Sequence, residues 1–316
     1  MTQDLGGKLV VLIGGAGFLG RHVAQELLTR GARLRVASRR AERAFAIKPL
    51  GNLGQVQLVR TDITRPASLV RAVAGADAVV NLAGAFAGDL DAVMGSGVGA
   101  LARAATAAGA KTFVHISAIG ADAAGETAYA RAKAAGETAV LDAFQSATVL
   151  RPSILFGADD TFINRFAGLI SLLPAMPVFA PQAKLQPLFV DDCAKGIVSA
   201  LADPEAHGGK TFELAGPEVL TMLELNQRIA VAAGRSTHLL PLPDTLSGLI
   251  AAATGWLPGA PITNDQWKLL SAGNVASDDW PGITALGITP RPIGLFLDRW
   301  LVRFRKHGRF ADRAAA

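Results

Sequence analysis

The apolar residues of this chain fall into short unbroken runs that alternate with longer amphipathic segments. Short runs of β-branched and aliphatic residues are typical of strands buried in a parallel sheet, and six lie at 9–13, 34–38, 56–60, 78–82, 112–116 and 147–151. Segments with helical periodicity separate them, at 21–30, 66–74, 94–108 and 127–144. Strands that alternate with helices predict an α/β fold, a Rossmann-type doubly wound parallel sheet.

The pattern changes after Pro152, where apolar residues are mixed with Pro174, Pro177 and Pro181. Strands are predicted at 188–190 and 211–214, which we expect to return to the sheet, and helices at 191–201, 221–233, 245–255 and 264–272. We therefore expect a larger domain of residues 1–155, joined by 187–215, and a smaller, mostly helical lobe of 156–186 and 216–316.

A glycine-rich turn joins the first strand to the first helix. Gly14, Gly17 and Gly20 follow the strand at three-residue spacing, and Gly15, Gly17 and Gly20 fit a second common spacing. Such glycines permit the tight turn, the approach of backbone to a pyrophosphate and close helix packing, while the helix N-terminus offers unpaired N–H groups to the phosphates. The context predicts a dinucleotide site rather than a turn without a ligand.

The tip of the second strand bears on which nucleotide is bound. It reads Ser38-Arg39-Arg40 and contains no acidic residue. An acid there binds the ribose 2′-hydroxyl of NAD, whereas arginine pairs with the 2′-phosphate of NADP. We therefore predict NADP(H) rather than NAD(H), the alternative being that both arginines are solvated loop charges. Asp62, at the tip of the third strand, is a candidate acceptor for the adenine amino group.

A second chemical pattern is Tyr129-Ala-Arg-Ala-Lys133. Residues four apart on a helix share a face, and a nearby ammonium lowers the pKa of a tyrosine, as general acid–base work near neutrality requires. Ser117, at the end of the fifth strand, can orient a carbonyl beside them. As an isolated pattern this is an ordinary amphipathic helix feature, but after a glycine turn and five βα units it predicts a cofactor-site pair.

These motifs, in this order, resemble the short-chain dehydrogenase/reductase superfamily in its atypical extended branch. Asn81-Leu82-Ala83-Gly84 adds to the resemblance, which covers about the first half of the chain. It implies that Ser117, Tyr129 and Lys133 form the catalytic set. It also implies that the nucleotide is held by Gly14, Gly17, Phe18, Leu19, Gly20, Ser38, Arg39, Arg40, Asp62, Ile63, Leu82, Ala83, Gly84, Ser117, Tyr129, Lys133 and Pro152.

A longer signature covers 151–157, 160–166 and 186–192. It resembles the nucleotide-binding accessory subunits of respiratory complex I (NADH:ubiquinone oxidoreductase) and their bacterial relatives. The resemblance implies a tightly held NADP(H) with a structural role, a part in assembly, and complex I subunits as partners. With a structural nucleotide, the protein need not turn over a substrate. In agreement, residues 118–128 are rich in Ala and Gly and offer few polar side chains to a substrate, and glycines at 95, 97 and 99 lie where active relatives often place an asparagine.

The alternative is an active NADPH-dependent oxidoreductase or isomerase acting on a small apolar substrate, quinone-like or isoprenoid-like. Apolar residues of the smaller lobe would then line its pocket, namely Phe156, Phe162, Phe166, Leu169, Ile170, Leu172 and Phe179. An RNA-binding role is disfavoured, because outside the C-terminal tail no stacking aromatics are interleaved with the basic residues. We therefore expect no nucleic acid partner.

Composition limits the classes of protein to which this chain can belong. Of the 316 residues 50% are hydrophobic, yet no apolar run approaches the roughly 20 residues of a membrane span, and no export or transit segment is expected at the N-terminus. Cys193 is the single cysteine and is expected in the core, and the scattered histidines predict no metal site. The net charge of +5 selects no partner by itself.

The C-terminal segment 293–309 has two interpretations. Leu297, Trp300, Leu301 and Phe304 form one helical stripe, surrounded by Arg299, Arg303, Arg305, Lys306 and Arg309. Such a helix can lie on an anionic membrane surface, or it can pack its stripe on the smaller lobe. With the complex I resemblance, the first interpretation predicts a cytoplasmic protein that is peripheral on the inner membrane.

Overall fold

The computed structural model describes residues 5–254, 263–306 and 308. Its strands are β1 (Leu9–Ile13), β2 (Arg33–Ser38), β3 (Val56–Arg60), β4 (Ala78–Asn81), β5 (Thr112–Ile116), β6 (Thr148–Pro152), β7 (Leu155–Phe156), β8 (Ala175–Val178), β9 (Lys184–Leu185), β10 (Leu188–Phe189), β11 (Thr211–Leu214), β12 (Leu220–Thr221) and β13 (His238–Pro241).

The α-helices are α1 (Phe18–Thr29), α2 (Pro66–Val73), α3 (Leu90–Met94), α4 (Ser96–Ala107), α5 (Ala128–Ala143), α6 (Phe162–Leu172), α7 (Val190–Ala202), α8 (Pro204–His207), α9 (Met222–Ala232), α10 (Asp244–Thr254), α11 (Asn264–Ser271) and α12 (Gly294–Trp300). Three 3-10 helices cover Ala41–Leu50, Ile283–Leu286 and Leu301–Phe304. The predicted helix at 245–255 is described from Asp244 to Thr254, and Gly255 lies outside the described residues.

Seven parallel strands form the main sheet, in the order β11-β6-β5-β4-β1-β2-β3. The predicted Rossmann-type fold is therefore confirmed. The strand order reverses between β1 and β4, and ligands of open α/β sheets bind outside the carboxyl ends of the strands at such a switch point. The glycine turn after β1 lies at this position. Every residue of β4 and β5 is buried, as expected for central strands covered on both faces.

The first helix and the fourth crossover differ from the prediction. Helix α1 begins at Phe18, inside the glycine motif, so that its opening turn belongs to the turn itself. The predicted helix at 94–108 is divided into α3 and α4 at Gly95, whose φ of −101° and ψ of −94° are not helical. Glycine has a low helix propensity, and here it marks a break rather than a weak start.

The chain divides into two compact units. The first comprises residues 5–152, Val190–Leu214 and Ala276–Thr289. This division differs from the expected one at two places. Strand β10 pairs in parallel with β7 rather than with the main sheet. Residues 276–289 belong to the unit of the sheet because Ser277 N–H donates to Glu213 Oε2 at 2.7 Å and Glu213 N–H donates to the Pro281 carbonyl.

The second unit contains α6, α9–α12 and three two-stranded sheets, and of the strands in these sheets only β10 had a sequence prediction. An aromatic cluster fills part of its interior, and the ring centroids of Phe189 and Phe296 are 4.2 Å apart. Phe156 packs into this cluster and Leu172 is 82% exposed. The two residues therefore do not line a common pocket, contrary to what the alternative function led us to expect.

The C-terminal stripe packs inside the second unit. Helix α12 ends at Trp300 and is followed by the 3-10 helix Leu301–Phe304, while Leu297 and Leu301 are buried. Trp300 stacks on Phe296, with ring centroids 4.7 Å apart. Leu297 and Leu301 are thus covered by protein, as the packing interpretation predicts, while Trp300 and Phe304 remain half-buried. Nowhere in the described ranges is there a helix both long and apolar enough to span a bilayer.

Candidate functional site

The glycine turn is shaped by two close backbone approaches. Gly14 has a φ of +78°, and a Cβ on it would lie 3.0 Å from the backbone nitrogen of Ala83. A Cβ on Gly20 would overlap the carbonyl oxygen of Gly15. A side chain at Gly14 would also require the left-handed conformation, which glycine adopts without strain. The first and third glycines therefore maintain the turn itself.

The second glycine leaves the helix opening free for a ligand. Gly17 is the N-cap of α1, no side chain caps this end, and the first turn contains no acidic residue. The first N–H groups of a helix have no intrahelical partner, so those of Phe18, Leu19 and Gly20 are available to an anion. A glycine-capped helix N-terminus at a switch point is the usual site of a dinucleotide pyrophosphate.

Three buried hydroxyl groups at the same edge of the sheet lack a hydrogen-bond partner among the described residues. They are Ser38 Oγ at the end of β2, Thr61 Oγ1 just after β3 and Ser117 Oγ just after β5. Buried polar groups are nearly always paired, so these unsatisfied atoms indicate that a polar ligand completes them. Together with the glycine turn, they fit a nicotinamide dinucleotide lying across the carboxyl ends of the strands.

The strand tips carry the charges predicted for the adenosine end. Arg39 and Arg40 are exposed. The pKa of Asp62 lies below its ordinary value, mainly because the Thr64 N–H donates to its carboxylate, with a further contribution from the positive charge of Arg39. Arg39 is therefore near enough to the tip of β3 to act on the same ligand as Asp62. Ile63 differs from the others in that its side chain is buried in the hydrophobic core.

The candidate catalytic residues meet at the start of α5. Thr127 caps this helix and Tyr129 lies in its first turn, with the Lys133 ammonium 5.9 Å from the tyrosine ring centroid. Lys133 donates to the Ile116 carbonyl at 3.0 Å, directly before Ser117. A Cβ on Gly84 would lie 4.0 Å from the Lys133 Nζ. The structure thus brings the predicted Tyr–Lys pair to the ends of β4 and β5.

The ionisation of this pair differs from the expectation. Burial raises the pKa of Tyr129 to about 12 and lowers the pKa of Lys133 to about 8. The expected lowering of the tyrosine pKa by the ammonium is therefore wrong for this geometry. Desolvation disfavours the charged form of each group, and the ammonium is directed at the Ile116 carbonyl. At neutral pH Tyr129 is a hydrogen-bond donor and not a phenolate.

A buried charge network behind Lys133 was not predicted. Glu137, one helical turn after Lys133, accepts from Arg151 Nε at 2.9 Å and from Nη2 at 2.7 Å. Arg151 Nη1 lies 3.7 Å from Glu213, and its guanidinium lies 5.0 Å from the ring centroid of Trp280. The Glu137 charge opposes the lowering of the Lys133 pKa. The signal available in the sequence was the i,i+4 spacing of Lys133 and Glu137.

Hydrogen bonds made by Asn81 and Leu82 hold the loop after β4 in place. Asn81 Oδ1 accepts from the Ala83 N–H at 3.2 Å, and Asn81 Nδ2 is 3.0 Å from His115 Nδ1. Burial, helped by the nearby Lys133 charge, lowers the pKa of His115 to about 3, so the imidazole is neutral. Leu82 N–H donates to the Ile13 carbonyl at 2.8 Å. Leu82 and Ala83 are thus held against the glycine turn.

The remaining sequence predictions have simple outcomes. Pro152 ends β6, and its carbonyl accepts from the Ile119 N–H at 3.2 Å, which places it at the same sheet edge as the site. Cys193 is buried, as predicted. No group of three potential metal ligands is found among the residues that the structure describes.

Two alanine substitutions separate the roles of the glycines. Gly20→Ala is expected to lower stability by about 1–3 kcal/mol, because its methyl group overpacks the turn. Gly17→Ala is expected to fold normally, since its Cβ would meet only the Gly14 carbonyl oxygen at 3.3 Å, but to reduce nucleotide affinity at least about tenfold by blocking the approach of a pyrophosphate. Thermal unfolding without nucleotide and fluorescence titration with NADPH measure the two effects. Wild-type affinity in Gly17→Ala would contradict the assignment.

Comparison with known proteins places this geometry in a family. A model of the NAD dependent epimerase/dehydratase family matches residues 10–215. NADH dehydrogenase (ubiquinone) 1 alpha subcomplex subunit 9, mitochondrial, of Mus musculus is 32% identical over 303 residues, which are 93% of this chain and 79% of that protein. A ceramide reductase of Caulobacter vibrioides is 31% identical over 286 residues, covering 89% of this chain and 87% of that protein.

A solved structure has the same fold. The triphenylmethane reductase of Citrobacter sp. superposes with a TM-score of 0.74 at 22% identity, covering 92% of this chain and 99% of that one. The matched family model spans the glycine turn, the Tyr129–Lys133 pair and the last strand of the sheet. The chain therefore belongs to the NAD dependent epimerase/dehydratase family, and within it to the relatives of the mitochondrial alpha subcomplex subunit 9.

Proposed function

We propose that this protein is an NADP(H)-binding accessory or assembly subunit of a NADH:ubiquinone oxidoreductase, in which the nucleotide has a structural role. The observation that carries the proposal is the 32% identity to the mouse subunit over 93% of the chain. The match therefore extends through both compact units, well beyond the nucleotide-binding motifs. Complex I subunits are the proposed partners, on the cytoplasmic side of the inner membrane.

The chain offers a binding group for each part of the nucleotide. We assign the pyrophosphate to Gly14, Gly17, Phe18, Leu19 and Gly20, the adenosine 2′-phosphate to Ser38, Arg39 and Arg40, the adenine to Asp62 and Ile63, and the nicotinamide end to Leu82, Ala83, Gly84, Ser117, Tyr129, Lys133 and Pro152. The guanidinium of Arg39 favours NADP(H) because it can pair with a phosphate in a bidentate manner. Bound nicotinamide would supply a hydride donor or acceptor.

The side chains at the nicotinamide end suit retention of the nucleotide. Lys133 is fixed to the Ile116 carbonyl and can donate a further hydrogen bond to a ribose hydroxyl. Tyr129, with its pKa raised to about 12 by burial, donates a hydrogen bond but does not remove a proton near neutrality. Ser117 Oγ is buried and unpaired in the described part of the chain, so a ligand carbonyl or amide can satisfy it.

Native membranes provide the direct test. After extraction in mild detergent, the protein should migrate with NADH dehydrogenase activity on a native gel, and NADPH should be recovered from that band. Deleting the gene should reduce the amount of assembled enzyme in the band. Migration away from the dehydrogenase activity would reject the proposed function.

A second candidate is an active NADPH-dependent reductase. The observation that favours it is the retained set Ser117, Tyr129 and Lys133, together with the ceramide reductase that is 31% identical over 89% of this chain. In that case Tyr129 would protonate the reduced substrate oxygen. Tyr129→Phe should then lower kcat by about 10²–10⁴-fold, the usual contribution of a positioned general acid. Turnover unchanged in this variant would exclude that role.

Peripheral attachment to the membrane would depend on charge rather than on the C-terminal apolar stripe. Arg299 and Lys306 are exposed, and each basic residue near an anionic surface contributes about 1 kcal/mol. Reversing both to glutamate should weaken binding to anionic liposomes by at least about tenfold, while the double variant Arg71→Glu with Lys111→Glu, at two exposed positions of the first unit, serves as the charge-matched control. Cosedimentation at two salt concentrations measures the effect. Equal binding of both variants would exclude this surface.

A further inference from the structure

An exposed aromatic ring lies on Tyr129, the single tyrosine of the chain. Phe86 is 73% exposed, yet its ring is stacked on Tyr129 with centroids 5.0 Å apart and an interplanar angle of 7°. It is the only large side chain between Gly84 and Gly88, in the loop that joins β4 to α3. An offset-stacked aromatic pair contributes about 0.5–1.5 kcal/mol, which holds this otherwise solvent-facing ring in place.

We propose that Phe86 is a positioning residue that covers one face of the Tyr129 ring and disfavours ionisation of its hydroxyl. The proposal deepens the proposed function, on which it rests, because it assigns the chemical state of the group at the nicotinamide end. Phe86 acts through Tyr129 by excluding water from one face of the phenol. It is not itself a catalytic residue.

Among the groups around Tyr129, Phe86 is the one that can be replaced without breaking a hydrogen bond. On the same helix, Lys133 lies over the ring at 5.9 Å from its centroid, but it is fixed by its hydrogen bond to Ile116. The Phe86 loop contributes one charged group, Asp89, which is occupied in capping α3 through the Ala92 N–H at 2.9 Å. Burial is the cause that raises the pKa of Tyr129. Removing an apolar cover is therefore the change that should lower it.

The cover has a consequence for the nucleotide. While Phe86 is stacked, ionisation of Tyr129 is further disfavoured and one face of its ring is closed to a substrate. Gly84 and Gly88 flank the ring in the sequence, and Gly88 has a φ of +84°, a conformation that glycine adopts without strain. A substrate that needs contact with the phenol must first displace Phe86. Such an arrangement favours a nucleotide that is retained over one that is turned over.

The single tyrosine allows a direct test in the full-length protein. The ultraviolet difference absorbance of the phenolate is titrated in wild type, Phe86→Ala, Phe86→Leu and Phe45→Ala, with circular dichroism recorded at each pH to verify folding. Phe45 is the matched control, since it is 59% exposed and lies in the 3-10 helix Ala41–Leu50. Phe86→Ala should lower the midpoint by about one pH unit. Leucine should lower it less, and Phe45→Ala should leave it unchanged.

Nitration provides a second measurement below the titration range. Tetranitromethane reacts with the phenolate, and nitrotyrosine absorbs visible light, so the rate at pH 8 reports on one residue. Phe86→Ala should react about tenfold faster than wild type, as a shift of one pKa unit implies. Equal midpoints and equal nitration rates in wild type and Phe86→Ala would overturn the proposal. Neither measurement needs a nucleotide, so a protein that fails to bind NADPH or complex I would still give a decisive result.

Discussion

Replacing Arg39 by aspartate is expected to weaken NADPH binding about 100-fold while it changes NADH binding less than about threefold. A hydrogen bond to a charged group contributes about 1.5–3 kcal/mol, and each 1.4 kcal/mol is a factor of ten in affinity. The new carboxylate would also lie near Asp62, whose charge already responds to Arg39. Two carboxylates at the strand tips repel a 2′-phosphate but accept hydrogen bonds from a 2′-hydroxyl.

The control for this prediction is Arg43→Asp. Arg43 is also exposed and lies in the 3-10 helix that follows Arg40, so its reversal changes the net charge equally without touching the tip of β2. Titration with each nucleotide at two salt concentrations separates a local contact from a general field, because exposed charges are screened within about 10 Å at 0.1 M salt. Equal losses for NADPH and NADH in Arg39→Asp would refute the 2′-phosphate assignment.

The central strands were predictable because their signal is local. Residues 9–13 and 112–116 form strands with the predicted bounds, since short runs of aliphatic and β-branched residues are typical of strands covered on both faces. The capping box that begins α9 is equally local, because it joins Thr221 to Glu224 only three residues later. Features that depend on a distant partner were not visible. Strand β10 has two residues and pairs with β7 rather than with the main sheet.

The C-terminal stripe illustrates the same limit. Periodicity places Leu297 and Leu301 on one face, but it does not say whether lipid or protein covers that face. The structure supplies the cover, in a cluster around Phe296 and Phe189 that joins residues more than a hundred positions apart.

At the candidate site, the sequence predicted which residues lie together but not their pKa values. The spacing of Tyr129 and Lys133 put both side chains on one helix face, as the structure shows. The carbonyl of Ile116 then holds the ammonium, and burial determines both pKa values. Phe86 had no sequence signal, because stacking on Tyr129 depends on the path of a loop. Unpaired hydroxyls such as Ser38 can be recognised only in three dimensions.

Arg151→Met is expected to destabilise the protein by about 3–5 kcal/mol, the usual effect of removing one partner of a buried ion pair. Arg151, Glu137 and Glu213 have side chains that are 15%, 10% and 6% exposed. The variant preserves much of the side-chain volume but leaves two carboxylates without their shared cation. Because Glu137 is also one turn from Lys133, the loss should be accompanied by weaker nucleotide binding. Chemical denaturation measures the first effect and NADPH titration the second.

The matched control is the more exposed pair Arg228–Glu218, whose 3.0 Å contact joins side chains that are 40% and 34% exposed. Arg228→Met should cost no more than about 1 kcal/mol, as surface ion pairs do. Adding Glu137→Gln to Arg151→Met should restore part of the lost stability, because one uncompensated buried charge is removed. A loss in Arg151→Met as small as that in Arg228→Met, with no recovery in the double variant, would mean that the network is solvated. The charge of Glu137 would then be screened from Lys133 as well.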